Sequence, residues 1–415
     1  MKTSNIALTL LFFALASIVI GTSACKKETS KQAETLKIGA LLGFSGIGSQ
    51  NAVETKAALD ICLHDIRDFI SRNKLDIEVE LLVEDTKSDT AHAKTKMQLL
   101  IEKGVRLIIG PYSSTEALVL KPLADTHNVL LVSHSAVATS LALPGDNFLR
   151  FAPSDTYQAE ALNAMFQSDS IEGIVAVVRN DLWSNSLMEA VRNVYTSEGG
   201  NVIATIAFEP GTTNFIPLVT DVKTALAAGA STVDANKIGI YFISYADGTD
   251  LLQALNNGSI ATVYKLYGAS AYAQNSSLPA NTSAAAFALE RNLQCPVFGF
   301  DEGAATIYQP IQKKLENVIG SKASIYALAA YDILWTAFLT SITQKAESEF
   351  ATFKAHFIET ASAHFGATGR SELDENGDRK HVFYDFWALE EQSPADYRWV
   401  ITAKYSTTSH NLLKR

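Results

Sequence analysis

A chain of 415 residues, 47% apolar and 19% charged, has the length and apolar content for two ordinary domains. Its formal charge of −10, with no long basic run, excludes nucleic acid as an expected partner. Its 3 cysteines are too few for a disulfide scaffold.

The first element is a leader. Lys2 is followed by an almost wholly apolar run from Ile6 to Ile20, then Gly21, Thr22, Ser23, Ala24, Cys25, Lys26 and Lys27. A charged start, a short apolar run and small residues read as a secretory signal. The run falls short of the ~20 residues that cross a bilayer. Small residues directly before a cysteine resemble the bacterial lipobox, in which that cysteine is diacylated and becomes the new N-terminus. Residues 1–24 are therefore expected to be a lipoprotein signal peptide. Cys25 is the expected lipidation site, and 25–35 a polar tether. Acyl chains would hold the protein to the lipid bilayer outside the cytoplasm. Lys26 resembles the signal for outer-membrane sorting. Cys62 and Cys295 read as buried thiols.

Beyond the leader, strands and helices alternate. Leu36 to Leu42 reads as a strand, and Val53 to Phe69 as a helix with Ala57, Leu59, Ile61 and Ile66 interleaved with charges. Leu75 to Val83, Val105 to Ile109 and Val129 to Val132 read as strands; Thr90 to Lys103 and Ser114 to Thr126 read as helices. The pattern restarts with strands at Ile174 to Val178, Val202 to Phe208, Ile238 to Ile243 and Thr262 to Tyr267. Helices at Trp183 to Ser197, Phe215 to Ala228 and Gly248 to Leu255 separate them. Such alternation predicts parallel sheets covered by helices on both faces, and two series predict two lobes. Late helices follow at Ile307 to Val318, Tyr326 to Ile342 and Phe350 to His364, then strands at Phe383 to Leu389 and Trp399 to Ala403. Ala225 to Ala235 and Gln274 to Ala286 read as loops or insertions.

Five segments, in order, resemble one family. They are LKIGALLGFSGIGSQ from Leu36, LIIGPYSSTEALVLKPLADTHNVLLVSHSA from Leu107, FLRFAPSDTYQAEAL from Phe148, YALAAYDILWTAF from Tyr326 and GATGRSELDENGDR from Gly366. The third carries Arg150, Pro153, Asp155 and Gln158 of the family's first crossover. The chain thereby resembles the branched-chain amino-acid binding proteins, the type I periplasmic solute-binding proteins of ABC importers. That resemblance implies an α/β fold of two doubly wound parallel-sheet lobes joined by a three-stranded hinge. Lobe 1 would comprise 36–151 plus 300–365, and lobe 2 would comprise 152–299 plus 366–415.

Ligands of open parallel sheets bind beyond the carboxyl ends of the strands, where helix N-termini point. Ser113 and Ser114 sit at such a rim and suit a carboxylate; an N-cap role is the plainer alternative. Ser135 and Ala136 offer backbone donors at the next rim, although Val137 stands where the resemblance expects a threonine. His134 beside that strand reads as structural. Trp183 and Tyr245 fall at the family's aromatic positions in lobe 2. Ser270 lies in the loop where amino-acid binders of the family place an acid for the ligand ammonium; Gly268 to Ala271 contains none. Gln50 and Asn51 are expected to add polar contacts opposite Ser114.

The resemblance implies a monomeric lipoprotein that captures a small polar ligand, an amino acid or related amide or carboxylate, and delivers it to the membrane subunits of an ABC permease. A ligand-sensing module of the same fold is the alternative. No enzyme, cofactor or metal is expected. Gly-x-Ser-x-Gly, His-Glu-x-x-His and the phosphate-binding Gly-x-x-x-x-Gly-Lys-Ser/Thr motif are absent. Asp374, Asn376 and Asp378 mimic the start of a calcium loop, but the run lacks the closing Glu and reads better as a turn.

Overall fold

The computed structural model describes residues 34–343 and 349–415. The expected signal peptide, Cys25 and most of the tether lie outside the described residues.

Short apolar strands separated by helices can pair only in parallel, because each helix carries the chain back to the same edge. The first series does so. It runs β1 (Glu34–Leu42), α1 (Ser49–Asn73), β2 (Ile77–Asp85), α2 (Thr90–Glu102), β3 (Leu107–Ile109), α3 (Ser114–His127), β4 (Leu130–Ser133) and β5 (Phe148–Arg150). The sheet order is β2-β1-β3-β4-β5, parallel throughout.

The second series runs α4 (Asp155–Ser168), β6 (Gly173–Arg179), α5 (Leu182–Ser197), β7 (Asn201–Phe208), α6 (Ile216–Gly229), β8 (Ile238–Ile243), α7 (Gly248–Asn257) and β9 (Lys265–Gly268). Its parallel order is β7-β6-β8-β9. Next come α8 (Ser277–Ala280), α9 (Thr282–Glu290), β10 (Cys295–Gly299), α10 (Ala305–Ile319), α11 (Ile325–Thr343), α12 (Phe350–Ala363), β11 (Phe365–Gly366), β12 (Gly369–Arg370), β13 (Phe383–Ser393), β14 (Asp396–Ser406) and β15 (Asn411–Lys414).

Both sheets are buried on both faces, as parallel sheets require. One apolar cluster packs α11 and α12 onto α1 and the first sheet, and another fills that sheet's opposite face. Two further clusters cover the faces of the second sheet. The late segments are therefore shared: α11 and α12 pack with the first sheet, while Tyr384, Phe386 and Tyr405 pack with the second.

The ends of the second series depart from the expected pattern. Beyond β9 the pairing turns antiparallel, in the order β10-β13-β14-β15. Gln294 stitches the two together, accepting from Gly268 N at 3.0 Å and donating to Leu266 O at 3.1 Å. The stretch expected as a loop from Gln274 to Ala286 instead enters α8 and α9. Asn281 caps α9 by accepting from Ala284 N at 3.1 Å, and Ala284, Ala285, Phe287 and Ala288 are buried. Small residues there allow close packing rather than mark a loop. Likewise α6 continues to Gly229, through the start of the Ala225 to Ala235 stretch. Cys62 and Cys295 are free and buried.

A buried arginine ties three distant backbone segments together. Arg379 Nη1 donates to Phe151 O at 3.2 Å and Thr368 Oγ1 at 2.7 Å; Nη2 donates to Thr368 O at 2.6 Å and Arg370 O at 2.9 Å. Its guanidinium also lies 5.0 Å from the centre of the Phe298 ring. Asp332 on α11 accepts from Ala367 N at 2.7 Å and Thr368 N at 2.8 Å.

Candidate functional site

One wall of the interlobe cleft begins at β3. Gly110 turns the chain at φ +109°, and a Cβ there would collide with Leu41 O, so glycine is required. The turn delivers Tyr112, Ser113 and Ser114 to the start of α3. Ser113 is the N-cap: its Oγ accepts from Glu116 N at 3.2 Å and donates to Glu116 Oε2 at 2.7 Å. Both bonds run to Glu116, so the Ser113 hydroxyl is committed to the helix start. Ser114 Oγ accepts from Ala138 N at 3.2 Å, which leaves its hydroxyl proton to donate. The N–H groups of Ser114 and Thr115 belong to the first turn and have no intrahelical acceptor. Together these donors sit at the positive end of α3.

The second rim behaves differently from expectation. Ser133 Oγ, at the end of β4, donates to Pro111 O at 2.8 Å and accepts from Ser135 N at 3.2 Å and Ala136 N at 2.8 Å. The backbone donors expected to hold a ligand at Ser135 and Ala136 are thus already engaged. Ser135 Oγ donates to Tyr112 O at 2.8 Å. Arg150 Nη1 draws the loop in through Ala138 O at 2.8 Å and Ala136 O at 3.4 Å, while its Nε and Nη2 pair with Asp378. Ser135 and Val137 line the cleft, whereas Ala136 is fully buried and does not.

His134 is fully buried, with Nε2 at 3.4 Å from both Thr55 Oγ1 and Asn51 Oδ1. Burial pushes its pKa down to about 4, so the ring is neutral and structural. Gln50 and Asn51 lie on α1 and do not line the cleft. Gln50 Nε2 donates to Glu54 Oε1 at 3.2 Å, and Asn51 Nδ2 to Ser324 Oγ at 3.5 Å.

The opposite wall is aromatic. Trp183 lies in the first turn of α5, where Asp181 caps by accepting from Ser184 N at 2.8 Å. Tyr245 follows β8, its N–H donating to Asp247 Oδ1 at 2.9 Å. The two rings are 5.0 Å apart and inclined at 52°. The Arg179 guanidinium, 5.1 Å from the Tyr245 ring centre, pairs with Asp181 and Asp247 and so fixes that ring. Ser270 and Ala271 follow β9, and Tyr326 enters from α11 to complete the lining.

Tyr112, Val137, Ala271 and Tyr326 line the cleft without having been singled out in the sequence as ligand contacts. Tyr112 was legible in principle, because it immediately precedes the serine pair. Tyr326 opens the late helix, and only the folded topology brings it to the strand ends.

Every lining residue is a serine, a tyrosine, a tryptophan or a small apolar residue; none carries a charge. The cavity volume is ≈ 40 Å³, room for about three waters. One carboxyl lies behind the lining: Asp155, at the start of α4 and 1% exposed. Burial pushes it up to about 7, against the opposing pull of Gln158, Arg150 and Trp183. The calcium-like run is a turn: Asp374 Oδ1 accepts from Asn376 N at 2.8 Å and Asp378 N at 2.9 Å. Among the described residues no group of side chains suits a metal ion.

Residues 35–358 match the family model described as periplasmic binding protein. An uncharacterized protein of Methanocaldococcus jannaschii is 21% identical over 399 residues, covering 92% of each chain. The leucine-binding protein LivK of Thermotoga maritima MSB8 superposes with a TM-score of 0.71 at 15% identity, covering 91% of this chain and 99% of that one. A solute-binding protein of an ABC transporter from Rhodopseudomonas palustris BisB5, solved with 3,4-dihydroxy benzoic acid, gives a TM-score of 0.70 at 14% identity, covering 90% and 97%. The two solved structures share the type I periplasmic-binding-protein fold found here, and the chain belongs to the periplasmic binding protein family.

Proposed function

We propose that this protein captures a small carboxylate with an apolar or aromatic body and delivers it to an ABC permease. The lobes would be 36–151 with 300–365, and 152–299 with 366–415; the sharing of late segments between the two sheets supports that division. The carrying observation is the cleft itself, where Ser114 at the N-terminus of α3 shares the lining with the rings of Trp183, Tyr245, Tyr326 and Tyr112 and with no charged side chain. The Ser114 hydroxyl and the first-turn N–H groups suit one carboxylate. Trp183, Tyr245, Tyr326 and Tyr112 suit a flat or branched apolar body. A ligand ammonium would be desolvated there without a counter-charge, which is costly. Among relatives of this fold, one is a leucine-binding protein and another holds a dihydroxybenzoic acid, so the scaffold accommodates both classes.

Entry and release would follow from the lobes parting and closing again. The protein would act outside the cytoplasm, anchored through acylated Cys25 with the outer membrane favoured, as a monomer. Calorimetric titration with benzoate, 3,4-dihydroxybenzoate, leucine and leucinamide tests the reading. The acids without an ammonium are expected to bind in the micromolar range, about −8 kcal/mol, and more tightly than leucine. Tighter binding of leucine refutes the ligand class; silence throughout refutes solute capture of these acids.

A further inference from the structure

Several parts of the cleft lining trace back to one turn of α4. The backbone N–H of Asp155 donates to Val137 O at 2.9 Å. Its Oδ1 accepts from Gln158 Nε2 at 2.5 Å, and Gln158 Oε1 accepts from Ser270 N at 2.8 Å. Val137 and Ser270 both line the cleft. The second carboxyl oxygen, Oδ2, has no partner, and neither does the indole Nε1–H of Trp183; both are buried. The indole lies near enough to draw the carboxyl pKa down. Buried polar groups left open are costly, and each of these two is the chemical complement of the other.

We propose that Asp155 and Gln158 are the positioning pair of the cleft, with Asp155 Oδ2 seating the Trp183 indole and Gln158 seating the Ser270 main chain. This rests on the solute-binding reading above and names the groups that shape its site. Neither residue lines the cleft; each acts through a residue that does.

The seat is sensitive to protonation. Arg150 faces Asp155 from the end of β5. Tyr241, Tyr245, Tyr326 and Tyr384, on β8, the loop after β8, α11 and β13, lie within reach of its charge. Ionised, Oδ2 accepts the indole N–H. Once Oδ2 takes up a proton from solvent, two donors meet and the indole is released. Burial places that change near neutrality rather than in the ordinary carboxylate range.

The test uses the full chain, labelled with nitrogen-15 and without ligand. The Trp183 Nε1–H resonance, identified by its loss in Trp183→Phe, is expected to titrate with a midpoint near 7. Asp155→Asn should abolish that titration. Gln158→Ala should move the Ser270 amide resonance and leave the indole titration in place. An indole resonance flat from about pH 5 to about pH 9, or one that titrates alike in Asp155→Asn, overturns the assignment. Should Asp155→Asn fail to fold, the unmodified chain and Gln158→Ala still decide it. The calorimetric panel is independent: silence there removes the solute-binding reading and leaves the resonance data untouched.

Discussion

The two walls of the cleft are built by opposite means. The wall from the first sheet is made of serines and backbone beside Tyr112 and Val137, and most of its polar groups are spent on itself. Ser133 alone absorbs the N–H groups of Ser135 and Ala136, and Ser113 is absorbed by Glu116. The wall from the second sheet is aromatic, and its polar groups lie behind the rings. There Arg179 fixes Tyr245, and Asp155 with Gln158 stands behind Trp183 and Ser270. Counting hydroxyls therefore overstates how polar the first wall is to a ligand. Looking only at the lining understates how much charge organises the second.

The sharpest way to break this contrast is to empty the aromatic wall. Trp183→Ala removes a buried ring and strands Asp155, and should cost about 3–5 kcal/mol of stability. Urea denaturation measures it, and benzoate affinity should fall with it. The next effect is a pH slope. Burial pushes the Asp155 carboxyl from the ordinary carboxylate range up to about 7, so the fold prefers the protonated form. Its stabilising contribution is complete below about pH 4 and is lost as pH rises through about 7. Each tenfold difference in proton affinity between folded and unfolded chain is worth ~1.4 kcal/mol, so the loss amounts to a few kcal/mol at most. Denaturation of Asp155→Asn at several pH values should show that slope gone.

Smaller effects separate the paired serines. Ser113→Ala removes a helix cap and should cost about 1 kcal/mol of stability with ligand affinity nearly unchanged. Ser114→Ala should instead weaken carboxylate binding about tenfold, near 1.4 kcal/mol. Equal effects on affinity would erase the distinction between a capping and a ligand-facing hydroxyl. Smallest of all, Gln50→Ala should shift calorimetric affinity by less than about 0.5 kcal/mol, because Gln50 turns to Glu54 and away from the cleft.

Much of the architecture was legible in the chain, because an apolar run such as Leu107–Ile109 between helical stretches has one economical partner geometry. Strands of few residues were not: Phe148–Arg150 is too short to show a period, and its Arg150 is buried only because Asp378 comes from 228 positions away. The stretch of alanines and serines around Ala284 resembles a loop in sequence because small residues also serve tight helix packing. At the site, Ser114, Ser135, Trp183, Tyr245 and Ser270 could be placed at the strand ends from the strand–helix alternation taken with the family resemblance. Which of their donors remain unspent could not, since that depends on Ser133, Gln158 and Glu116 in three dimensions. Asp155 was visible as part of a crossover motif, but its depth was not.

Arg379 has a consequence for how the molecule comes apart. Each sheet has its own apolar clusters, so two separate melting transitions would be the ordinary result. A single buried guanidinium, however, is the donor for the carbonyls of Phe151, Thr368 and Arg370 and lies against the Phe298 ring. Unfolding the first half takes the Phe151 carbonyl away from that cation and leaves a buried charge short of a partner. The halves are thereby expected to melt as one cooperative unit, and calorimetry of Arg379→Met should resolve one endotherm into two.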